Sequence, residues 1–122
     1  MQRLYALVIT AKQAPVRQYT EALQGAGYAV QVVTTGSRAQ VQLTFTNPDL
    51  IVLDLDLPDM SGEVILRQII AQPRLHSSGL IVLSHKGDAS RNKSRRDLQV
   101  ITKPVQSRRL ADLAAQAADI RA

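Results

Sequence analysis

There is no cysteine in the 122 residues, and aromatic side chains make up only 3% of them. The first absence excludes disulfides and thiolate metal sites, and it fits a reducing compartment. The second means that any core must be filled with Leu, Ile, Val and Ala, which a chain that is 45% hydrophobic can supply. No apolar run approaches the roughly 18 residues that cross a bilayer, and no secretory signal opens the chain. These features point to a cytoplasmic module without membrane contact. Its length is that of one ordinary domain over 1–122, or of a piece cut from a longer protein.

The net charge of +5 is unevenly placed. Residues 86–109 hold eight basic side chains (Lys86, Arg91, Lys93, Arg95, Arg96, Lys103, Arg108 and Arg109) against Asp88 and Asp97. The remainder holds seven basic and eight acidic residues, so the basicity belongs to one segment. Such a patch is either a solvated face or a surface that speeds encounter with an anionic partner.

Along the chain, buried-strand and amphipathic-helix patterns alternate. "LYALVI" (4–9), "LIVLD" (50–54) and "LIVLS" (80–84) are short, nearly continuous apolar runs, as expected of strands covered on both faces. "YAVQVV" (28–33) and "LQVIT" (98–102) are two further strands. After the first strand, Pro15 opens a helix carrying Val16, Tyr19 and Leu23, closed by Gly25 and Gly27. Thr35-Gly36-Ser37 reads as a turn with Ser37 as the cap. The next stretch fits two periods, since Val41, Leu43 and Phe45 alternate like a strand while Ala39 and Leu43 fit a helix. The surrounding rhythm predicts helix. Ser61 is placed to cap a helix carrying Ile65, Leu66, Ile69 and Ile70, which Pro73 stops, and Ser107 to cap a last one. The segment 85–97 has one alanine and no larger apolar residue, so any helix there is expected to be short or disordered.

Strand–helix repetition of this kind implies a parallel sheet covered on both faces, a flavodoxin-like (βα)5 doubly wound α/β fold. Chemistry in such sheets gathers at the carboxyl ends of the strands. The residues there are Thr10 to Lys12, Asp54, Ser84 and Lys103. An aspartate at the mouth of a sheet can attack phosphorus and become an acyl phosphate, provided that cations and donors surround the transferring group. Lys103 is a point charge suited to a phosphate oxygen, and Ser84 is a hydroxyl donor.

With "PDLIVLDLDLPDMSG" (48–62), "LIVLS" (80–84) and "ITKP" (101–104) in this order and spacing, the chain resembles the receiver domain of two-component response regulators along essentially its whole length. The resemblance implies that Asp54 matches the phospho-acceptor, Ser84 the switch hydroxyl and Lys103 the pairing lysine. It also implies a cis bond before Pro104. A histidine kinase or an attached output domain would be the partner. The face of fourth helix, fifth strand and fifth helix is where such domains meet partners or form homodimers, and here that face carries the basic excess.

The departures bear on the chemistry. The acidic pair that holds Mg²⁺ in the family falls on Ala11 and Lys12, with Thr10 beside them, and none is a carboxylate. Val100 stands where the family has an aromatic switch residue, and "SRRDLQ" (94–99) replaces the usual small-residue motif. Mg²⁺ dehydrates reluctantly and needs dedicated charge, so binding is expected to be weak or absent. Lys12 either extends into solvent or lies against Asp54 as a substitute for the metal. Asp54 is either a working nucleophile or a structural carboxylate paired with Lys103. Asp56, two residues on, lies in a turn that leaves its direction open. Asp59 reads as loop surface, and His76 and His85 as isolated loop residues.

Three functions follow as expectations. The leading one is a degenerate receiver, not an enzyme, that acts in signalling by protein contact. The second is a receiver phosphorylated on Asp54. The third is nucleic-acid binding through 86–109, against which stands the lack of any known binding motif and of aromatics for base stacking in that segment.

Overall fold

The computed structural model describes residues 3–85 and 98–121. The elements run β1 (Leu4–Ile9), α1 (Val16–Gly25), β2 (Tyr28–Val33), α2 (Gly36–Phe45), β3 (Leu50–Asp54), α3 (Gly62–Ala71), a 3-10 turn at Pro73–Leu75, β4 (Gly79–Ser84), β5 (Leu98–Thr102) and α4 (Ser107–Arg121). All strands are parallel, in the order β2-β1-β3-β4-β5. This is the flavodoxin-like sheet the strand–helix rhythm predicts. The short helix expected within 85–97 falls on residues 86–97, outside those described.

The apolar runs become the central strands because side chains alternate across a sheet. Leu7, Ile9, Ile51, Leu53, Leu80 and Val82 point to one face, where α2 and α3 cover them with Ala39, Leu43, Ile65, Leu66 and Ile69. Ala6, Val8, Leu50, Val52, Ile81 and Leu83 point to the other, under α1 and α4, with Tyr19, Leu23, Leu110 and Leu113. Every residue of β3 and β4 is buried, whereas the edge strands β2 and β5 keep exposed positions. Burial of both faces is why those central runs are uninterrupted. The hydroxyl of Tyr28 crosses this second core to donate to the Ala114 carbonyl at 2.8 Å.

The ambiguous stretch is a helix. Ala39 and Leu43, four apart, are buried, while Val41 and Phe45 face outward at 57% and 79% exposure. Two caps differ from expectation. Thr35, not Ser37, caps α2, its Oγ1 accepting from the Arg38 N–H at 3.1 Å. Ser37 already lies inside the helix. Ser107 likewise belongs to α4, whose Leu110 N–H bonds the Gln106 carbonyl one turn back at 3.1 Å. Ser61 does cap α3, accepting from the Glu63 N–H at 3.2 Å. Gly27, at φ 99°, takes the left-handed conformation between α1 and β2 that favours glycine.

The loop after β3 is held at both ends. Asp59 is exposed, but it is more than loop surface: its carboxylate accepts from the Gly36 N–H at 2.7 Å and from the Ser37 N–H and hydroxyl at 3.0 and 2.9 Å. These backbone donors at the first turn of α2 hold its pKa below the ordinary carboxylate value. The far end closes where the Gly62 N–H meets the Leu55 carbonyl at 3.0 Å. A Cβ at position 62 would lie 2.5 Å from the Leu55 Cα and 2.8 Å from the Asp54 carbonyl oxygen, both backbone atoms with no room to yield. The prediction is that Gly62→Ala destabilises by about 2 kcal/mol or more, as overpacking against fixed atoms does. Chemical denaturation checks it, and an unchanged midpoint would contradict the close approach.

Candidate functional site at the carboxyl end of the sheet

Asp54, at the end of β3, is met from the ends of β1 and β5 and from the loop that follows it. The carboxylate is 1% exposed, the last residue of the most buried strand. A buried charge must be met by hydrogen bonds and opposite charge. The Thr10 hydroxyl, itself fully buried, donates to Asp54 Oδ2 at 2.8 Å. The Asp56 N–H donates to Oδ1 at 2.9 Å. Lys103 Nζ also reaches Oδ1, at 2.6 Å, with its side chain only 15% exposed. The same ammonium donates to Asp56 Oδ2 at 3.0 Å, and His85 Nε2 reaches that oxygen at 2.9 Å. A carboxylate offers only acceptors, so the imidazole must carry its hydrogen on Nε2.

Register explains which residues meet. Ile9 pairs with Leu53 in the parallel ladder of β1 and β3, so the next position, Thr10, falls beside Asp54. Thr10 therefore occupies the place facing the carboxylate, with Ala11 after it, and the assignment of that place to Ala11 and Lys12 is displaced by one residue. Lys12 is exposed and makes no hydrogen bond or ion pair among the described residues. The arrangement with Lys12 as a metal substitute against Asp54 is not formed, because Lys103 and Thr10 already fill that carboxylate. Ser84 ends β4, is 6% exposed, and its carbonyl accepts from the Lys103 N–H at 2.8 Å. The Lys103–Pro104 bond is cis. Val100 pairs with Val82 across the ladder and packs, half-buried, on the α2–α3 side of the sheet. His76 is a loop residue whose Nε2 lies 2.9 Å from the Ile70 carbonyl.

Three contacts were not legible. The spacing of 44 residues between Thr10 and Asp54 carries no signal until strand register is known. Asp56 as a second acceptor for Lys103 depends on the turn after β3. His85 gains a role only through Asp56.

Burial of Lys103 by itself lowers its pKa, but the hydrogen bonds and charges of Asp54 and Asp56 outweigh this and hold the ammonium above the ordinary lysine value. The pairing therefore stabilises fully below the ordinary lysine value of 10.5 and is lost as pH rises through the higher folded value. Tyr19 of α1, 3% exposed, lines a hollow with Lys103 and His85. Burial, and then the negative charge of Asp54, push its pKa up.

The family to which the motifs point uses Mg²⁺, and the donor set does not fit that ion. Both oxygens of Asp54 are engaged, the shared oxygen of Asp56 faces two cationic or N–H donors, and the end of β1 offers a hydroxyl and a methyl group. Among the described residues no group of three or more His, Asp or Glu is placed to hold a metal. An octahedral ion of this kind requires several free oxygen ligands.

Removing Lys103 would leave Asp54 buried without its counter-charge. The expected result is that Lys103→Met destabilises by about 3 kcal/mol at neutral pH, while the double variant with Asp54→Asn recovers most of the loss. Denaturation midpoints of wild type, Lys103→Met, Asp54→Asn and the double variant check this, and additive losses would contradict a direct pair.

Residues 6–115 match the family described as Response regulator receiver domain. Over 68 residues the chain is 31% identical to the phosphate regulon transcriptional regulatory protein PhoB of Rhizobium meliloti, an alignment covering 56% of this chain and 30% of that protein. It thus spans less than a third of that curated relative. Among solved structures, the signal receiver domain of a putative LuxO repressor protein from Vibrio parahaemolyticus is similar with a TM-score of 0.77 at 26% identity, covering 98% of this chain and 95% of that one. The receiver domain of a signal transduction histidine kinase from Syntrophus aciditrophicus gives 0.81 at 27% identity, covering 94% and 89%. No described helix is long and apolar enough to cross a membrane. With 110 of its residues matched and the sheet order, strand-end aspartate and lysine in place, the chain belongs to the response regulator receiver domain family.

Proposed function

We propose that this receiver accepts a phosphoryl group on Asp54 from a histidine kinase and passes the signal to a protein partner or an attached output domain in the cytoplasm. The observation that carries this reading is the buried Asp54 carboxylate with the Lys103 ammonium at 2.6 Å, at the mouth of the sheet. In the transfer, an Asp54 oxygen attacks phosphorus, the O–P bond forms as the P–N bond of the phosphohistidine breaks, and the electron pair leaves with the imidazole. Lys103 offsets charge on the transferred group, and Ser84 stands at the adjoining strand end. The receiver is then the acceptor in a reaction that the kinase drives, not an enzyme in its own right.

A specific observation favours a second reading. Thr10 and Ala11 stand where the family carries its acids, and Val100 where it carries an aromatic. In that reading the receiver is degenerate. Asp54 stays a structural partner of Lys103, and the domain works by protein contact, or by homodimer formation, through β5 and α4. Arg108 and Arg109 lie exposed in the first turn of α4 and would suit an acidic protein surface. Nucleic-acid binding gains no support, since five of the eight basic side chains of 86–109 lie in 86–97, outside the described residues.

Incubation with acetyl phosphate followed by intact mass separates the readings. The expected outcome is a gain of one phosphoryl group that disappears in Asp54→Asn. A folded protein that gains no mass under any divalent-ion condition would establish the degenerate reading instead.

A further inference from the structure

Phosphorylation changes the charge balance of the site. The Asp54–Lys103–Asp56 group holds two negative charges and one positive. Converting Asp54 to an acyl phosphate replaces one negative charge with about two, because the second proton of the phosphoryl group is largely lost near neutral pH. In a receiver with acids at the end of β1, a divalent ion would absorb that excess. Here the donor set does not fit one, and Lys12, two residues beyond Thr10, has no partner at the site among the described residues.

Among the described residues, one other group at the site can supply positive charge. His85 follows Ser84 directly, and its Nε2 lies 2.9 Å from the same Asp56 Oδ2 that holds Lys103 at 3.0 Å. Two donors share one oxygen, so they compete for it. A neutral imidazole satisfies Asp56 weakly and leaves Lys103 divided between two carboxylates. An imidazolium neutralises Asp56 and releases Lys103 toward the group on Asp54. The charged and titratable groups facing His85 among the described residues are Asp56 from the β3–α3 loop, Lys103 after β5 with Asp54 behind it, and Tyr19 of α1 across the shared hollow.

We infer that His85 is a positioning residue for phosphoryl acceptance: protonated on the Asp56 carboxylate, it stands in for the divalent cation and frees Lys103 for the phosphoryl group. This rests on Asp54 being the acceptor. Two consequences follow. Acceptance proceeds without divalent metal, and it rises as pH falls through the range in which an imidazole gains its second proton. The His85 side chain is 68% exposed, so solvent screens the pair. The expected gain between neutral and charged forms is therefore about two- to five-fold, the range of an exposed ion pair.

The test measures acetyl phosphate labelling by intact mass, with EDTA and separately with Mg²⁺, from about pH 5.5 to about pH 8, the span over which histidine changes charge. Wild type, His85→Gln and Asp54→Asn are compared. His85→Gln keeps an N–H donor for Asp56 but cannot become charged. The inference predicts labelling in EDTA, a wild-type rate that exceeds that of His85→Gln at the acid end by the stated factor, and convergence of the two at the alkaline end. Labelling that requires Mg²⁺, or the same pH profile in both proteins, overturns the role of His85 while leaving Asp54 as the acceptor. Absence of labelling in every condition overturns both.

Discussion

The structure depends on one buried negative charge and the three donors that make it tolerable. Asp54 closes a strand with no exposed residue, in a place where an unpaired carboxylate would be too costly to keep. Its partners come from three separate parts of the chain: a hydroxyl at the end of β1, an N–H in the loop after β3, and an ammonium beyond β5. None is local in the sense of a turn or cap except the Asp56 N–H. The other two require the strands to be parallel, in the order β2-β1-β3-β4-β5 and in the observed register. The site is thus a consequence of the sheet, and the sheet is a consequence of apolar runs that only burial on both faces can satisfy.

The loop that carries Asp56 is shaped by the same economy of space. Gly62 lets the start of α3 come against the backbone of Asp54 and Leu55, and Asp59 ties the loop to the first turn of α2. Asp56 is thereby held where its carboxylate can share Lys103. The result is a lysine between two carboxylates, one buried and one largely exposed, with a histidine on the outer oxygen. Membership of the receiver family gives the framework its meaning. The local chemistry is this chain's own, because hydroxyl and methyl groups line the corner of β1 where carboxylates would gather a hard cation.

Much of this was legible in the residues. Five strands and their order in sequence followed from apolar runs, and Asp54, Ser84 and Lys103 followed from standing at strand ends. What was hidden depended on register and on competition between near-equal donors. Thr10 is an unremarked threonine until the ladder of β1 and β3 brings it against Asp54, which also moved the corresponding position one residue away from Lys12. Val41, Leu43 and Phe45 alternate like a strand, yet the strand–helix rhythm predicts the helix that is found, and the burial of Ala39 and Leu43 gives its physical reason. Thr35 and Ser37 are both competent caps, and the choice fell to Thr35 because Asp59, distant in sequence, takes the Ser37 hydroxyl. His85 carried no signal at all, since its one contact is with a loop carboxylate whose direction the sequence leaves open.

The central claim is that the charge of Asp54 is met from within the chain by Lys103 and Thr10 instead of by a divalent ion. Titration of the unphosphorylated protein with Mg²⁺, followed by the amide resonances of residues 54–56 and 103, tests it most directly. The account predicts no saturable shift at millimolar metal. A saturating shift centred on Asp54 and Asp56 would show that the ion displaces Lys103, and would contradict it.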